Sequence, residues 1–325
     1  VIEPAQEILK KILSHPRVTR GSLAGSLRRK MEVVRNINLV LSTERPQEVL
    51  TAFSQLPEVE VVRFKEKASG RYSLFSGLEV DLRTSPDQAF PYFLFCYTGS
   101  LGHWNSIFEK AKVMGLNLSE KGLHRNGRII SCKEEEGIFD ALGLDYIPPE
   151  LRENQGEIEV SEIHQLPRLV ENQDIQGIFH VHSFYSDGTH SIRRLAQASK
   201  KMGFSYIGLS DHSQSARYAG GLTLDKLQKQ WKEIDQVNQE MEGFTIFKGI
   251  ESDILPDGSL DYDEAILKQF DFVIASVHSH FNMPREEMTQ RVIKALRNPY
   301  TTILAHPTGR LLLAREPYAI DMIRI

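Results

Sequence analysis

Histidines and acidic residues recur through the second half of this chain at the ends of predicted strands. The candidates are His180, His182, Asp187, His212, Glu251, His278 and His306. Imidazole and carboxylate together are the ligand set of Zn²⁺, Mn²⁺ or Fe²⁺, and a group of this size can hold two to three ions. Paired cations activate a water and stabilise the charge on a phosphate ester. The pattern therefore predicts a metal-dependent phosphoesterase site with Mn²⁺ or Zn²⁺ as cofactor.

The elements that must position these residues alternate between strand and helix. We predict strands at 178–182, 206–210, 245–251, 272–277 and 302–305, with helices between them. Such alternation favours parallel strands, whose carboxyl ends converge on one face, as in a barrel. We expect the pair in His-x-His to share one side of its strand, because side chains alternate with period two.

Each of these residues also has a simpler interpretation. A single histidine is more often a surface or core residue than a ligand, and Asp187 in Ser-Asp-Gly could be only a turn residue. His190 and His280 are weaker candidates, and Asp211 could orient an imidazole without binding metal. The remaining acids of the region are interpreted as turn or surface residues: Asp253, Asp257 and Asp261. Five successive strand ends with a ligand each nevertheless favour the metal site.

Five segments resemble the polymerase and histidinol phosphatase (PHP) domain, most closely the version fused to bacterial and archaeal family X DNA polymerases. They are His-Val-His-Ser-x-Tyr-Ser-Asp-Gly (180–188), Ser-Asp-His-Ser (210–213), Gly-Ile-Glu-Ser-Asp (249–253), Ala-Ser-Val-His-Ser-His (275–280) and Ala-His-Pro-Thr-Gly-Arg (305–310). The resemblance implies a distorted (β/α)₇ barrel and a trinuclear metal site. It also implies a 3′–5′ exonuclease activity on DNA that usually depends on manganese.

The chain departs from that family in two places. Ile178 stands where the family has an acidic residue, and no counterpart of its final Asp-x-His ligand pair occurs before Ile325. We therefore expect an incomplete barrel and a chain truncated at both ends.

The first half resembles the palm and thumb of family X polymerases. The matching segments are 25–29, 80–83, 97–100 and 148–153. A Gly-Ser turn followed by two arginines could be a plain surface turn, but backbone amides and guanidinium groups also suit phosphate. The resemblance implies a vestigial nucleotide site, with DNA- or nucleotide-binding residues Gly25, Ser26, Arg29, Thr98 and Gly99.

The acidic residues of that polymerase site are mostly replaced. The family carries Asp-x-Asp and a third Asp, whereas this chain has Asn36, Asn38 and Asp81. Mg²⁺ prefers charged oxygen ligands, so we expect no Mg²⁺ in the palm and no polymerase activity. Trp104 and Phe108 also replace an Asn and an Arg that contact nucleotide and template in the family. We interpret the lobe as a remnant that holds DNA.

These observations predict an α+β nucleotidyltransferase palm and thumb followed by an α/β PHP-type barrel. The expected boundaries are 1–87 for the palm, 88–150 for the thumb, 151–177 for an extended linker and 178–325 for the PHP domain. The expected substrate is DNA with 3′ ends, gapped or damaged, and the expected process is DNA repair. A DNA-binding scaffold without activity, or a small-molecule phosphatase of the histidinol-phosphatase type, are the alternatives.

The composition limits the class of protein and the cellular compartment that we expect. The net charge of −4 excludes a protein that coats nucleic acid by bulk charge, and 41% hydrophobic with 25% charged residues is ordinary for a globular protein. No apolar run predicts a membrane span. Cys96 and Cys132 stand alone, which favours a reducing cytoplasm over a disulfide framework. We expect a cytoplasmic monomer without membrane partners.

Overall fold

A computed structural model describes all residues from Val1 to Ile325, and the chain divides into two compact units, Val1–Arg168 and Leu169–Ile325. The helices of the first unit are α1 (Ile2–Leu13), α2 (Gly25–Arg28), α3 (Pro46–Ser54), α4 (Phe90–Thr98), α5 (Leu101–Val113), α6 (Glu136–Ala141) and α7 (Glu157–Glu162). Its strands are β1 (Arg20–Ala24), β2 (Asn36–Ser42), β3 (Val59–Lys65), β4 (Ser69–Leu74), β5 (Glu79–Ser85), β6 (Leu116–Ser119), β7 (Gly122–Arg125) and β8 (Arg128–Ile130).

The first lobe of this unit is a mixed sheet in the order β1-β2-β5-β4-β3, in which only β2 and β5 run parallel. Ile37 and Leu39 of β2 and Val80 of β5 point into a core that α1 and α3 also line. Because strand side chains alternate, the residues between them face the other side of the sheet. Asn38 lies opposite Asp81 in the β2–β5 register, so the remnants of the predicted palm site share one face.

The second lobe packs α4 to α7 against an antiparallel sheet of β6, β7 and β8. Phe95, Ile107 and Phe139 lie at the centre of its core. Two of its helices, α4 and α5, follow one another closely, and Gly99 and Ser100 separate them.

The prediction of an extended linker over 151–177 is wrong for the first part of that segment. Arg152 is fully buried, α7 is helical, and Ile158 joins the core of the second lobe. The boundary between the compact units follows Arg168. Pro, Glu and Gln in the sequence indicated a loop, but contacts with distant core residues override such local preferences.

The second unit is a sheet of five parallel strands in chain order, β9 (Gly177–Val181), β10 (Tyr206–Leu209), β11 (Thr245–Asp253), β12 (Phe272–Ser276) and β13 (Thr301–Leu304). Its helices are α8 (Ile192–Lys201), α9 (Leu224–Glu240), α10 (Glu264–Leu267) and α11 (Arg285–Leu296). Each strand pairs with its neighbour in sequence, so the sheet is a consecutive part of an incomplete barrel. The helix between β11 and β12 is only the short α10.

None of the helices combines the length and the apolar character that crossing a membrane requires.

Candidate metal centre

The Glu251 carboxylate lies at the centre of the predicted cluster and is 1% exposed. Its Oε1 is 3.0 Å from Nε2 of His180, 3.0 Å from Nε2 of His306 and 3.3 Å from Nε2 of His278. Its Oε2 is 2.9 Å from Nδ1 of His212 and 3.4 Å from Nε2 of His182. One carboxylate from β11 therefore meets imidazoles from or just after all four other strands of the sheet.

Asp187 completes the group at its open side. Its carboxylate is 2.9 Å from Nδ1 of His182 and 3.5 Å from Nε2 of His212, and its side chain is 50% exposed. The structure thus brings all seven predicted residues together. Within the cluster, three overlapping triplets have ligand atoms within 4.8 Å of one another: His180–His182–Glu251, His182–Asp187–His212 and His212–Glu251–His278.

The backbone that presents His180 is irregular. Its φ is +64°, and the β9–β10 register shifts between the pairs Ile178–Ile207 and Val181–Leu209, so β9 has one residue more than β10 there. The two rings of the His-x-His pair do share one side, with centroids 5.2 Å apart, but the strand that carries them is irregular and not the regular strand that was expected. A β-bulge brings both rings to Glu251, and bulges of this kind re-aim side chains beside functional sites.

His306 also has a positive φ, of +27°, directly after β13. Positive φ costs a residue other than glycine about 1–3 kcal/mol, and such strain persists where the surroundings enforce it, often at functional sites. Two imidazoles of one cluster thus rest on strained backbone.

The chemistry of this donor set fits divalent cations. Nδ1 of His212 and Oε2 of Glu251 are buried and lie 2.9 Å apart without a well-directed hydrogen bond between them. Burial alone would raise the pKa of Glu251, but the imidazoles of His180, His212, His278 and His306 that face its carboxylate hold that pKa well below its usual range. Burial, and then the nearby His212, lower the pKa of His182 and keep its ring neutral. Carboxylate oxygens and imidazole nitrogens that converge around a buried centre are the donor set that a divalent cation requires.

Asp253 orients one of the rings, which corrects its interpretation as a turn or surface acid. It is 7% exposed, and its Oδ1 lies 2.6 Å from Nδ1 of His278. Burial lowers the pKa of His278, but hydrogen bonds with Asp253 and Glu251 outweigh it and raise the pKa to about 9. Asp253 thereby holds a proton on Nδ1 and turns Nε2 toward Glu251, where a bound cation would take the place of the proton on Nε2. Ser215 also bridges Asp253 to Asp261, which is likewise buried rather than on the surface.

Asp211 orients a loop and not an imidazole, contrary to one expectation from the sequence. Its fully buried carboxylate accepts hydrogen bonds from the Ser183 backbone amide (2.7 Å), the Ser183 hydroxyl (2.6 Å), the Ser186 hydroxyl and the Gln230 amide. These bonds hold the loop that leads to Asp187.

The weaker candidates His190 and His280 lie outside the cluster triplets, and each ring nitrogen Nδ1 meets only a neighbouring hydroxyl, of Thr189 and Ser279. Asp257 is exposed and pairs with Lys294, as its interpretation as a surface acid predicts.

A cleft of about 490 Å³ opens beside the histidines. Tyr218 lines it from the loop after β10, and its ring centroid is 6.1 Å from that of His212 and 6.4 Å from that of His278. Phe281 and Arg315 line the other side, with the guanidinium carbon 4.2 Å from the Phe281 ring centre. The sequence analysis missed Tyr218, because an exposed aromatic residue in a loop carries no spacing signal.

In the palm lobe, an arginine occupies the position of a cation. Nε and Nη2 of Arg71 lie 2.6 and 3.2 Å from the two oxygens of Asp81, and the side-chain amide of Asn36 donates to Asp81 at 3.1 Å. Asn38 lies on the same face, and its amide nitrogen is 3.5 Å from the carbonyl oxygen of Asn36. Arg71 comes from β4, which the sequence analysis did not connect with this site.

The predicted nucleotide-binding residues are engaged with their own lobe. Nε of Arg29 is 2.5 Å from Glu153, and its Nη1 donates to the carbonyl oxygen of Thr98 at 2.7 Å. Arg28 donates to the Thr98 hydroxyl at 2.8 Å and pairs with Glu135. The arginines therefore join α2 to the thumb lobe and do not face a free pocket.

The glycines of this region are needed for close packing. Gly25 has a φ of +60°, and a Cβ there would lie 2.6 Å from the Asn38 amide. Gly99 packs against the His103 ring, and Ser26 is the second residue of the short α2, after Gly25. Trp104, one of the two departures from the nucleotide-contacting pattern, packs against the thumb core.

Two family descriptions match the chain. Residues 93–153 match the DNA polymerase beta thumb, and residues 179–314 match the PHP domain.

The chain is also similar to curated proteins of known sequence. It is 39% identical over 322 residues to the DNA polymerase/3′-5′ exonuclease PolX of Bacillus subtilis, which covers 98% of this chain and 56% of that protein. It is 32% identical over 151 residues to a probable phosphatase of Thermoanaerobacter sp., covering 45% of this chain and 57% of that protein. A probable phosphatase of Caldanaerobacter subterraneus is 37% identical over 93 residues, or 27% of this chain and 34% of that protein. The matched segments thus cover between 34% and 57% of the length of these relatives.

The PHP match covers the whole cluster around Glu251, and the thumb match covers the lobe built by α4, α5 and α6. The chain therefore belongs among the relatives of family X DNA polymerases that join a polymerase beta-type thumb to a PHP domain.

Proposed function

We propose that this chain is a metal-dependent phosphoesterase that removes nucleotides from the 3′ end of DNA, with two to three Mn²⁺ or Zn²⁺ ions bound by the cluster. The observation that carries the proposal is the buried Glu251 carboxylate within 3.4 Å of five imidazoles. Carboxylate and imidazole ligands in this number suit Mn²⁺ and Zn²⁺ better than Mg²⁺, which favours oxygen alone.

Bound cations would supply an activated water and stabilise negative charge on the phosphate during cleavage. The residues of the chain would bind those cations and orient the groups around them. Glu251 lies at the buried centre of the cluster, with His180 and His306 on its Oε1, and Asp253 orients the ring of His278. Burial raises the pKa of Asp187, but the facing imidazoles of His182 and His212 outweigh it and lower the pKa overall. Asp187 is therefore ionised at neutral pH at the solvent side, where it can accept a hydrogen bond from water.

Tyr218 favours DNA over a small phosphate ester as substrate. Its side chain is 72% exposed beside two cluster histidines, so one face can stack on a nucleobase next to the scissile phosphate. The similarity to a protein named polymerase/3′-5′ exonuclease supports the same substrate. The similarity to probable phosphatases supports the second candidate function, hydrolysis of a small phosphate monoester.

We further propose that the palm lobe does not polymerise. Asn36 and Asn38 supply no charge, and Arg71 neutralises Asp81, the remaining carboxylate. Two features therefore oppose the binding of a divalent cation in the palm. Two charged ligands are missing, and the cation would have to displace a guanidinium that binds both oxygens of the remaining carboxylate. The lobe would instead contribute contacts to the DNA backbone.

The test of the phosphoesterase is release of mononucleotides from a 3′-labelled duplex in the presence of Mn²⁺. We expect the His180→Ala/His182→Ala variant to lose release, and His190→Ala, which changes an imidazole outside the cluster, to retain it. Unchanged release in the double variant would refute the proposal. Turnover of p-nitrophenyl phosphate without turnover of DNA would instead support the phosphatase.

The test of the palm is primer extension with deoxynucleotides and either Mg²⁺ or Mn²⁺. We expect no extension by the wild-type chain. Extension that Asp81→Asn abolishes would show an active polymerase site. Metal analysis separates both enzymes from a scaffold without activity, since a scaffold would hold fewer than one ion per chain.

A further inference from the structure

The β7–β8 hairpin of the thumb lobe concentrates positive charge in a chain whose net charge is −4. Lys121, Arg125, Arg128 and Lys133 lie between Glu120 and Glu134 without an acidic residue among them. Nothing in the proposed chemistry of the PHP unit uses this segment. The proposed metal centre therefore does not account for the positive charge of this hairpin.

The hairpin has a well-defined tip. Asn126 and Gly127 have φ values of +51° and +75°, as in the two-residue turns that match the twist of paired strands. Arg125 and Arg128 flank them as cross-strand partners in the β7–β8 register. Every residue from Arg125 to Ile129 is exposed.

The base of the hairpin is anchored in the lobe. Leu123 is fully buried in the thumb core, and Ile130 packs against that core. The Tyr92 hydroxyl donates to the carbonyl oxygen of Ile130 and accepts from the Cys132 backbone amide at 2.9 Å. The two arginines thus project from a rigid base and not from a loose loop.

The two arginines lack the partners that most arginines of the same unit have. Arg20, Arg28, Arg29, Arg71 and Arg152 each pair with a carboxylate. Arg125 and Arg128 form no hydrogen bond, ion pair or ring contact, although they face each other. Like charges directly opposite on paired strands destabilise a sheet. Such a pair adds little to the stability of the fold, and its positive charge is open to a counter-charge from outside the chain.

We propose that the β7–β8 hairpin is a phosphate-contacting arm that binds the backbone of a nucleic-acid duplex through Arg125 and Arg128. Guanidinium forks match phosphate oxygens, and a two-stranded ribbon is narrow enough to enter a major groove. This inference rests on the proposed action on DNA, and it assigns the contact to one element of the thumb lobe.

The experiment measures the affinity of the wild-type chain and of Arg125→Gln/Arg128→Gln for a fluorescein-labelled duplex with a recessed 3′ end. Ca²⁺ replaces Mn²⁺ to prevent hydrolysis, and the affinity is measured over a series of salt concentrations. The slope of log affinity against log salt should fall by about two units, because each phosphate contact contributes about 0.9. Affinity near 0.1 M salt should fall roughly tenfold to a hundredfold. Lys10→Gln/Lys67→Gln is the matched control, since it removes two exposed charges from other elements of the same unit.

Two further measurements make the result specific. The thermal midpoint of the Arg125→Gln/Arg128→Gln variant should equal or slightly exceed that of wild type, because the variant removes a repulsive pair. Hydrolysis of bis-p-nitrophenyl phosphate should not change, because the metal centre is untouched. A wild-type salt slope in the double variant would overturn the hairpin inference and leave the proposed function standing. A wild-type chain that hydrolyses the chromogenic ester but does not bind the duplex would overturn both proposals about DNA.

An acidic protein is the competing partner. If poly-L-glutamate competes as strongly as unlabelled duplex at equal charge concentration, the hairpin recognises negative charge in general and the nucleic-acid inference is wrong. Competition by the duplex alone supports it.

Discussion

The guanidinium group of Arg71 binds both oxygens of the Asp81 carboxylate, at 2.6 and 3.2 Å. The arrangement places a fixed positive charge where the sequence resemblance implied a divalent cation. The hydrogen bonds that Arg71 donates to Asp81 raise the pKa of Arg71 further, so its charge is permanent. Because of this contact, the proposed loss of metal binding in the palm can be tested by measuring Mg²⁺ binding directly, without an activity assay.

We predict that the palm binds Mg²⁺ with a dissociation constant weaker than about 1 mM, or less than about 4 kcal/mol of binding free energy. Titration calorimetry on Glu251→Gln, in which the PHP cluster is disabled, isolates the palm. Adding Asp81→Asn to that background should leave the heat of titration unchanged. A stoichiometric Mg²⁺ signal that disappears with Asp81→Asn would contradict the prediction.

Glu251→Gln should abolish the metal centre. Glutamine keeps the shape but removes the charge that faces five imidazoles, so metal content and hydrolysis should both fall more than about a hundredfold, beyond the loss usual for an outer partner. Elemental analysis after dialysis and release from 3′-labelled DNA measure the two effects. Glu287→Gln changes an exposed glutamate of the same unit and should affect neither.

Asp253→Asn should weaken the site and not destroy it. Asparagine can no longer hold a proton on Nδ1 of His278 by charge, so cation affinity should fall about tenfold to a hundredfold. The measurement is the Mn²⁺ concentration that gives half-maximal activity, and excess Mn²⁺ should restore kcat. Asp257→Asn is the control, because that carboxylate is exposed and pairs only with Lys294 and Ser259. Loss that excess Mn²⁺ does not restore would mean that Asp253 has another role.

Tyr218→Ala should raise KM for DNA about fivefold to a hundredfold and leave turnover of p-nitrophenyl phosphate unchanged. The expected size follows from the value of stacking one base on an aromatic ring, about 1–3 kcal/mol. Tyr218→Phe retains the ring and should behave like wild type. An equal loss on both substrates in Tyr218→Ala would place the ring in the chemistry rather than in DNA binding.

His103 and Glu157 form a buried pair in the thumb lobe, with Nδ1 and Oε1 2.6 Å apart and Nε2 of His103 without a partner. Burial lowers the pKa of His103, although the hydrogen bond to Glu157 opposes the shift. Burial raises the pKa of Glu157, but hydrogen bonds from His103 and nearby backbone amides lower it overall. The folded state therefore holds a neutral imidazole beside a carboxylate.

The sign of the resulting pH dependence follows from linkage. An unfolded histidine takes up a proton near its usual pKa of about 6.5, and folded His103 does so only at lower pH. The stability that His103 provides is thus present above about pH 6.5 and declines as pH falls below it. The difference in free energy of unfolding between wild type and His103→Gln should shrink between about pH 7 and pH 5.

The Trp231→Phe background makes Trp104 the single tryptophan, so denaturation followed by fluorescence reports on the thumb lobe. His124→Gln, a less buried histidine of the same lobe, serves as control. A difference that stays constant or grows on acidification would show that His103 is protonated in the fold.

Much of the candidate site was predictable because strand ends carry it. The spacing of His212, His278 and His306 after apolar runs gave their location, since carboxyl ends of parallel strands meet at one edge. Asp253 and Asp211 were misassigned, because burial and the direction of a carboxylate depend on which segments fold over it. Tyr218 and Arg71 were missed for the same reason, as neither stands at a spacing that distinguishes it from an ordinary loop or strand residue.

The sequence by itself determined the residue types: neutral Asn36 and Asn38 in place of acids, and imidazoles with Glu251 at successive strand ends. The tertiary structure decided which groups meet, because distances between residues far apart in the chain depend on packing and register. In the folded chain Arg71 pairs with Asp81, and the His180 ring lies at Glu251 on a bulged strand. Arg125 lies opposite Arg128 at the tip of a hairpin. Local patterns carry the period of a strand, whereas bulges, register and ion pairs across strands arise only when the whole sheet forms.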